Sequence, residues 1–447
     1  MGLTGLEIYK LLPKKNCGEC GPPTCLAFAM QLASAKASLD ACPYVSNEAR
    51  EALESASAPP IKLVTIGSGD AKLEIGDETV LFMHDKTFFH ETGLAFEVSD
   101  TMGPEELESA VARINGLKFE RVGQTLRVNL IAVRNDSGDA GTFAAAAAKV
   151  ASSTSLPLIL ISEDPGAMDK ALERTSAGRP LIYAANKDNF QAMSDLAKKY
   201  NCPLAVYGDG LDELAEVTEK VTKAGCKDLV LDPGRSRVGE RLMDLTQIRR
   251  LAIKKKFRLF GFPAMTFVKS EDPYQQAMEA GVYIAKYAGI VVMKSFEPWQ
   301  VLSLLTLRQN IYTDPQKPIQ VEAKLYPIGG EPTDGSPLYV TSNFSLTFFT
   351  VQGDIEASKV PSHLLVIDTE GTSVLTAWAA GKFTAEKIAE ALNSPGVQDR
   401  VKHRRVVIPG YVAAMSGKLE EKSGWEVIVG PRESAGIPSF VKAKWSA

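Results

Sequence analysis

The middle of the chain alternates short apolar runs with amphipathic helical stretches, and this alternation limits the possible folds more than any other feature. Most of the runs are continuously apolar, as expected for strands buried on both faces of a parallel sheet. The eight runs are LAFEV from Leu94, LIAVR from Leu130, LILI from Leu158, LIYAA from Leu181, LAVYG from Leu204, LVLD from Leu229, FRLFGF from Phe257 and IVVM from Ile290. Eight strand–helix units predict a TIM (β/α)₈ barrel, and an open doubly wound sheet is the alternative.

Two segments rich in proline, glycine and small residues divide this chain of 447 residues into three predicted domains. The first is SASAPP at residues 55–60, and the second is YPIGGEPTDGSP at residues 326–337. Such segments interrupt regular structure and mark loops or linkers. We therefore predict a small N-terminal domain at residues 1–57, the TIM barrel at residues 58–325 and a C-terminal domain at residues 326–447.

The C-terminal domain repeats the alternation on a smaller scale. Its apolar runs are LLVID from Leu364, VVIPG ending at Gly410 and WEVIVG ending at Gly430, with helical patterns between them. The pattern predicts a small Rossmann-like α/β sheet in which glycine-bearing loops follow the strands. Loops at the carboxyl ends of strands are where open α/β sheets bind ligands.

Composition and charge exclude several classes of protein. The formal net charge is −4, with 45% hydrophobic and 23% charged residues, which is ordinary for a soluble protein. No basic stripe for nucleic acid is present, and no run of about 18 apolar residues could cross a membrane. Charges interrupt the apolar residues of the N-terminal segment, unlike in a secretory signal. We expect a cytoplasmic protein that binds neither nucleic acid nor membrane.

Four of the six cysteines lie near the start of the chain, at Cys17, Cys20, Cys25 and Cys42. In a reducing compartment, clustered thiols indicate metal or redox chemistry rather than disulfides. Three closely spaced cysteines and a distant one followed by Pro43 fit an iron–sulfur cluster. Structural zinc is the alternative, although the second tight pair of cysteines that zinc sites commonly have is missing. Unligated thiols are the third possibility.

The residues between these cysteines suit a cluster. Gly18 and Gly21 allow the backbone to follow a cubane closely. Thr24 is a candidate N-cap for a helix that places Cys25 in its first turn. The positive end of the helix dipole would then face an anionic cluster.

Longer stretches at both ends of the chain resemble one known family. GLEIYKLLPKKNCGECGPPTCLAFAM followed by DACPYVSNEAR resembles the N-terminus of the large (γ) subunits of corrinoid iron–sulfur proteins, which serve the reductive acetyl-CoA (Wood–Ljungdahl) pathway of anaerobes. YTDPQKPI, VTSNFSLTFFTVQGDIE and GWEVIVGPRESAGIPSF resemble the same family in the same order. The resemblance therefore covers essentially the whole sequence.

The resemblance implies a [4Fe–4S] cluster on the four N-terminal cysteines and a C-terminal corrinoid domain that works with a small partner subunit. The chain would be a methyl carrier of the methyltransferase class rather than a stand-alone enzyme. Co(I) would accept methyl from methyltetrahydrofolate through a separate methyltransferase, and methyl-Co(III) would donate it to the nickel cluster of acetyl-CoA synthase/CO dehydrogenase. The cluster, reduced by a ferredoxin or a reductive activator, would supply the electron that reactivates Co(II). No histidine stands in a D-x-H-x-x-G motif, so a base-off corrinoid of the cobalamin type is expected.

The predicted corrinoid contacts lie in loops that follow the C-terminal strands. In EGTSVLTAW, amides and hydroxyls at the start of a helix would meet the polar corrin rim, with Thr372 or Thr376 beneath cobalt. Helix capping is the plainer role for these hydroxyls. The complete predicted set is Thr341, Thr347, Gly371, Thr372, Ser373, Val374, Thr376, Gly410, Ala413, Gly430, Arg432 and Ala435.

The barrel gives the least specific signal. Polar residues follow its strands, where a barrel enzyme would carry its chemistry. They are Arg134, Asn135, Glu163, Asp164, Asn186, Asp209 and Asp232. We expect them to satisfy strand ends or to face a partner, because the fold alone does not fix a function. Cys202 and Cys226 are expected to be small buried hydrophobic residues. Two other functions stay open: a cluster-only electron-transfer or scaffold subunit, and a pterin-dependent methyltransferase acting through its own barrel.

Overall fold

The computed structural model describes residues 4–445 apart from 35, 47–48, 51–52, 54–58, 83–84, 86–87, 235–236 and 315–317. The chain forms two compact units: residues 1–117 with 128–308, and residues 118–127 with 309–447. The predicted boundary between residues 57 and 58 lies outside the described residues. Of the helices that are described, none is long and apolar enough to cross a membrane.

The first unit begins with two helices, Gly5–Leu11 and Cys25–Ala33, and a 3₁₀ turn at Leu39–Ala41. Thr4 starts the first helix with a capping box, in which its hydroxyl accepts from the Glu7 N–H and the Glu7 carboxylate accepts from the Thr4 N–H. The apolar side chains of this region form a small core. It contains Ile8, Leu12, Cys25, Phe28, Ala29, Cys42 and Leu53.

An antiparallel ribbon precedes the barrel. Its strands are β1 (Val64–Ser68) and β2 (Ala71–Ile75). Their inward side chains join the apolar interior of the barrel. Gly93 is the first residue of the first barrel strand, and a Cβ added there would lie 2.5 Å from the Leu73 side chain. The ribbon therefore closes the amino end of the barrel.

Eight parallel strands within the described residues close into a barrel, which confirms the predicted fold. In chain order they are β3 (Gly93–Ser99), β6 (Leu130–Arg134), β7 (Leu158–Ile161), β8 (Leu181–Ala185), β9 (Leu204–Tyr207), β10 (Leu229–Asp232), β11 (Ala264–Phe267) and β12 (Ala288–Met293), with the hairpin β4 (Lys118–Arg121) and β5 (Gln124–Arg127) between the first two. Around the barrel the order is β10–β11–β12–β3–β6–β7–β8–β9.

A helix follows each barrel strand. The helices are Pro104–Asn115, Ala140–Ser153, Pro165–Thr175, Phe190–Tyr200, Leu211–Lys223, Val238–Lys254, Pro273–Ala285 and Pro298–Tyr312. The interior and the surrounding helices bury both faces of the strands, and β7 and β10 are buried at every position. This burial explains the near-continuous apolar runs of the sequence.

One predicted strand is wrong. The apolar run FRLFGF predicts a strand, but Arg258–Phe260 form a 3₁₀ turn and the strand is β11, a few residues later. Phe260 and Phe262 are buried, so the segment is apolar because it packs into the core rather than because it joins the barrel. A short apolar run does not distinguish these two cases.

A five-stranded sheet organises the second unit. Its strands are β13 (Leu325–Ile328), β14 (Leu338–Ser342), β15 (Ser362–Ile367), β16 (Arg405–Ile408) and β17 (Glu426–Val429). The order is β13–β15–β14–β16–β17, with β13 antiparallel to β15 and the other neighbours parallel. The predicted C-terminal α/β fold is confirmed, whereas β13 and β14 were not predicted. The predicted boundary between residues 325 and 326 falls within β13.

Helices pack on both faces of this sheet. They are Ser345–Ser358, Val374–Ala379, Ala385–Leu392, Pro395–Gln398, Ser416–Ser423 and Ile437–Lys444. One core contains Phe383 and Trp425, and the other contains Phe348 and Ile355. The hairpin β4–β5 also belongs to this unit. Gly123, at φ +72°, leaves room for the ring of Phe349, which would lie 2.7 Å from an added Cβ.

Candidate functional site

The four N-terminal cysteines lie near one another. Cys17 is exposed, Cys20 is half-buried, and Cys25 and Cys42 are buried. Burial raises the pKa of the Cys20 thiol, and the neighbouring Cys42, Cys17 and Cys25 raise it further. Cys25 and Cys42 belong to one small core and Cys20 packs against it, and Cys17 is near enough to act on Cys20, so the chain brings the four thiols near one another.

Local hydrogen bonds hold Cys25 at the start of its helix. The Thr24 hydroxyl accepts from the Ala27 N–H at 3.1 Å, which confirms the predicted N-cap. The Asn16 side chain accepts from the Cys25 N–H at 2.8 Å, and the Asn16 N–H donates to Cys25 Sγ at 3.4 Å. The loop between them contains Gly18 and Gly21 at φ +75° and +101°. These glycines adopt a conformation that other residues rarely tolerate.

The donor set fits an iron–sulfur cluster by chemistry. Among the described residues, no three Cys, His, Asp or Glu side chains are arranged to hold one metal ion. A [4Fe–4S] cluster makes a different demand, because it takes four thiolates on separate irons. The N–H that already points at Cys25 Sγ is the kind of donor that tunes such a cluster.

The second unit contains a cavity of about 380 Å³. Thr341, near the carboxyl end of β14, and Ile408, at the end of β16, form part of its walls. These strands are neighbours in the sheet, but β14 is followed by β15 on one side and β16 by β17 on the other. The cavity thus lies at the topological switch point, where open α/β sheets bind ligands.

Five of the twelve predicted corrinoid contacts line this cavity. They are Thr341, Thr347, Ser373, Val374 and Arg432. Thr341 belongs to β14, and the other four come from the loops and helices that follow β14, β15 and β17. The structure therefore brings together residues that are far apart in the sequence.

The other seven predicted contacts are not among the lining residues, and their assignment stays a prediction. They are Gly371, Thr372, Thr376, Gly410, Ala413, Gly430 and Ala435. Several have a structural role. Thr372 donates its hydroxyl to the Thr369 carbonyl at 2.7 Å. An added Cβ on Gly410 would lie 2.6 Å from the Gly430 carbonyl oxygen, so this position needs glycine for the close approach of two loops.

The polar groups of the cavity are incompletely satisfied. Thr341 is 1% exposed, and its buried hydroxyl has no hydrogen-bond partner among the described residues. The buried Tyr339 hydroxyl also lacks one, and burial raises the pKa of Tyr339 to about 12. At the rim, Tyr411 donates to Glu433 at 2.8 Å, which raises the pKa of Tyr411. A buried hydroxyl without a partner is costly, so these groups suit a polar ligand.

Sequence reasoning missed most of the apolar wall. Missed lining residues include Tyr339, Val340, Leu375, Val407, Tyr411 and Ile437. Tyr339 and Val340 belong to β14, whose sequence LYVTS is a short apolar run directly after the second predicted linker. That apolar run could have predicted both the strand β14 and the apolar side chains that it contributes to the cavity wall.

No histidine is among the lining residues described for this cavity. His363 and His403 lie at the amino ends of β15 and β16, at the opposite edge of the sheet. Their Nε2 atoms bond to the carbonyls of Thr333 at 3.2 Å and Ser336 at 3.0 Å. His84 lies outside the described residues.

The polar residues at the barrel strand ends have mostly local partners. Asn135 donates to Ser162 at 3.0 Å, and Asp164 caps the helix that follows it. Asn186 accepts two backbone N–H bonds at 3.0 Å. The buried Asp232 accepts from the Tyr183 hydroxyl at 2.8 Å. Glu163 and Asp209 are exposed. Arg134 lines a cavity at the carboxyl end of the barrel.

Family models match both parts of the chain. The family described as CO dehydrogenase/acetyl-CoA synthase delta subunit matches residues 63–441. The family described as "Putative Fe-S cluster" matches residues 12–44, which include all four N-terminal cysteines. The corrinoid/iron-sulfur protein large subunit of Moorella thermoacetica is 55% identical over 443 residues, 99% of each chain. The chain belongs to the family of corrinoid/iron-sulfur protein large subunits.

Archaeal relatives agree with this family. The acetyl-CoA decarbonylase/synthase complex subunit gamma of Methanothermobacter thermautotrophicus is 37% identical to this chain over 454 residues, 99% of each chain. The first family model is described as a delta subunit, whereas these relatives are called large or gamma subunits. The relatives match this chain from end to end, so they define the family more closely than the model of residues 63–441 does.

A solved dihydropteroate synthase from Xanthomonas albilineans matches over 57% of this chain and 100% of its own, with 16% identity and a TM-score of 0.41. At that score the likeness adds nothing to the closed barrel described above.

Proposed function

We propose that the chain is a methyl carrier that holds a [4Fe–4S] cluster on Cys17, Cys20, Cys25 and Cys42 and a base-off, cobalamin-type corrinoid in the cavity of the second unit. The methyl group would come from methyltetrahydrofolate through a separate methyltransferase and go to acetyl-CoA synthase/CO dehydrogenase. Its partners would also include a small subunit and a ferredoxin or reductive activator. When bound, the corrinoid would supply the methyl-carrying metal and the cluster the electrons for its reactivation.

The observation that carries this proposal is the 55% identity, over 99% of each chain, to a relative named corrinoid/iron-sulfur protein large subunit. Identity at this level and coverage implies the same domains in the same order. The residues of this chain supply independent support at both sites.

The cavity of the second unit fits a corrinoid in its chemistry. Hydroxyls of Thr341, Thr347 and Ser373 and the guanidinium of Arg432 offer polar groups for the amide-bearing rim. The apolar walls, such as Leu375, suit the flat body of the macrocycle. A polar ligand would give the Thr341 hydroxyl the partner that it lacks.

The absence of an imidazole among the described lining residues supports a corrinoid without a histidine ligand, in keeping with the proposed base-off state. The described residues that line the cavity include no histidine, and both described histidines of this unit bond to backbone carbonyls at the far edge of the sheet. The chain therefore offers hydroxyls, a guanidinium and a carboxylate near the corrinoid. None of these is a strong ligand for cobalt, whereas histidine is a common ligand for transition metals.

Metal content tests the proposal. We expect about four irons per chain, as for a [4Fe–4S] cluster, and one cobalt, in protein purified without oxygen and with its partners. Cys25→Ser should remove or convert the cluster, which would lower the iron content and the thiolate–iron absorption. Cys226→Ser is a matched control, because Cys226 is a buried cysteine of the barrel unit and bonds to the Ser194 carbonyl.

The outcomes separate the possible functions. Iron without cobalt would refute the methyl carrier and favour a cluster-only electron-transfer subunit. Zinc in place of iron would refute the redox role of the cysteines. An equal loss of iron in Cys226→Ser and Cys25→Ser would show that the substitution acts through folding rather than through ligation.

A further inference from the structure

A separate cavity of about 570 Å³ opens at the carboxyl end of the barrel. It lies where β11, β12, β3 and β6 end side by side. The ribbon β1–β2 closes the other end, so this end is the accessible one. Its volume is typical of small-molecule sites, and the carboxyl end is where TIM barrels bind their ligands. The cavity shares no lining residue with the cavity of the second unit.

The carboxylates of this cavity have donors within the protein. Glu97 lies 2.6 Å from the Arg134 guanidinium, and its side chain is only 10% exposed. Glu271 lies 3.6 Å from Lys294. Asp136 accepts a hydroxyl at 2.5 Å and adds to the negative charge near Arg134. Glu97 and Glu271 are therefore each paired with a cation of the protein, and Asp136 lies near the Arg134 guanidinium.

The ammonium of Lys269 is different. It makes no hydrogen bond or ion pair within the part of the chain that the structure describes, and it lies 5.5 Å from the centre of the Phe267 ring. Burial lowers the pKa of Lys269, and so do the guanidinium groups of Arg241 and Arg134, whereas the carboxylates of Asp232 and Glu97 raise it. These carboxylates act at a distance and form no ion pair with the ammonium, so an anion in direct contact would stabilise the partly buried charge.

The backbone holds Lys269 in place. Its N–H donates to the Glu279 carboxylate at 3.1 Å, and the N–H and hydroxyl of Ser270 donate to the same carboxylate at 3.1 and 2.8 Å. Glu279 is 4% exposed and also accepts from the Tyr283 hydroxyl at 2.8 Å. A buried carboxylate thus anchors the loop, and the position of Lys269 is set before any ligand binds.

The rest of the wall is apolar. Phe267 is 5% exposed, and its ring packs edge-on against the Tyr183 ring, with 4.8 Å between the ring centres. Val292, Met293 and Met102 also line the cavity. Methionine and aromatic side chains adapt well to flat apolar groups.

We propose that the mouth of the barrel binds a small organic acid, with its carboxylate on Lys269 and its apolar body against Phe267. The proposal is independent of the corrinoid and the cluster, which lie on other residues. It assigns a ligand to a part of the chain whose polar residues were expected from the sequence to satisfy strand ends or to face a partner.

Equilibrium dialysis with two matched probes tests the proposal. The full chain with its metals in place is dialysed against 2-naphthoate and against 2-naphthamide, which has the same shape without the charge. We expect 2-naphthoate to bind and 2-naphthamide to bind about tenfold more weakly, because a charge-assisted bond is lost. Lys269→Gln should weaken the binding of 2-naphthoate about tenfold. Lys223→Gln, at an exposed lysine paired with Glu219, should leave it unchanged.

Three results would overturn the proposal: no binding of 2-naphthoate, equal binding of the acid and the amide, or unchanged binding in Lys269→Gln. An effect of Arg432→Gln larger than that of Lys269→Gln would place the acid in the other cavity and would overturn it as well. The metal content is measured on the same samples, so failure here is distinguishable from failure of the methyl-carrier function.

Discussion

The substitution Thr341→Val tests the cavity of the second unit most directly. Valine has nearly the shape of threonine but carries a methyl group in place of the hydroxyl. The Thr341 hydroxyl is buried and has no partner among the described residues. A buried polar group without a partner costs about 1–3 kcal/mol. We therefore expect Thr341→Val to raise the free energy of unfolding of the corrinoid-free chain by about 1–3 kcal/mol.

The same substitution should weaken the retention of corrinoid, because it removes a polar group that the ligand would satisfy. Stability and cofactor binding would then change in opposite directions. A purely structural residue does not do this, since its loss lowers both.

Thr369→Val is the matched control in the same unit. Thr369 is fully buried, and its hydroxyl donates to Asn343 Oδ1 at 2.9 Å and to the Thr372 carbonyl at 2.8 Å. Its loss removes this donor from the partly buried Thr372 carbonyl, whereas Asn343 Oδ1 keeps the N–H groups of Thr369 and Gly371, so we expect destabilisation by about 1 kcal/mol.

Urea unfolding followed by tryptophan fluorescence measures both variants. Three of the four tryptophans, Trp378, Trp425 and Trp445, belong to the second unit, so the signal reports mainly on that unit. Cobalt content after gel filtration measures retention. If Thr341→Val destabilises the corrinoid-free chain as Thr369→Val does, the hydroxyl has a partner in the protein and the reasoning about the cavity is refuted.

Two further predictions concern the same unit. Gly410→Ala should destabilise it by about 1–3 kcal/mol, because the new Cβ would lie 2.6 Å from the Gly430 carbonyl oxygen. The control Gly417→Ala lies in a helix, and its new Cβ would have no neighbour within 4 Å, so it should be neutral or stabilising. Equal melting temperatures of the two variants would contradict this prediction. Burial lowers the pKa of His403, whose Nδ1 accepts from the Arg405 N–H at 2.9 Å. As the pH falls, the imidazole is protonated in the unfolded chain at a higher pH than in the folded chain. The contribution of neutral His403 to the free energy of unfolding is therefore fully present above about pH 6.5 and is lost as the pH falls below that value. The urea midpoint of His403→Asn should accordingly fall less on acidification than that of the unchanged chain.

The barrel could be predicted from the sequence because its signal is local and repeated. Each strand is buried on both faces, so each reads as an apolar run, and each is followed by an amphipathic helix. A single wrong strand, FRLFGF in place of β11, did not change the count or the fold. The error arose because Phe260 and Phe262 are buried without being in a strand.

The hairpin β4–β5 could not be predicted as part of the second unit. It lies between β3 and β6 in the sequence, yet it groups with residues 309–447. Its contacts are with residues more than 180 positions away, such as the bond from Gln309 Nε2 to Gln124 Oε1 at 2.7 Å. No periodicity or composition in the hairpin indicates such a partner.

The two candidate sites differ in predictability for the same reason. The cysteine site depends on short loops and one helix start, so the spacing of Cys17, Cys20 and Cys25 and the cap at Thr24 already describe it. The cavity of the second unit depends on the order of strands. After β14 the chain forms β15 on one side of that strand and then returns to form β16 on the other side, so β14 and β16 are neighbours in the sheet but not in the sequence. Sequence reasoning found loops that follow the strands but not which loops face the same space, and it missed β14 altogether. When a site is assembled by the topology of a sheet, the sequence can therefore predict only that it lies at the ends of strands. Its individual contact residues can be identified only when the order of the strands is known.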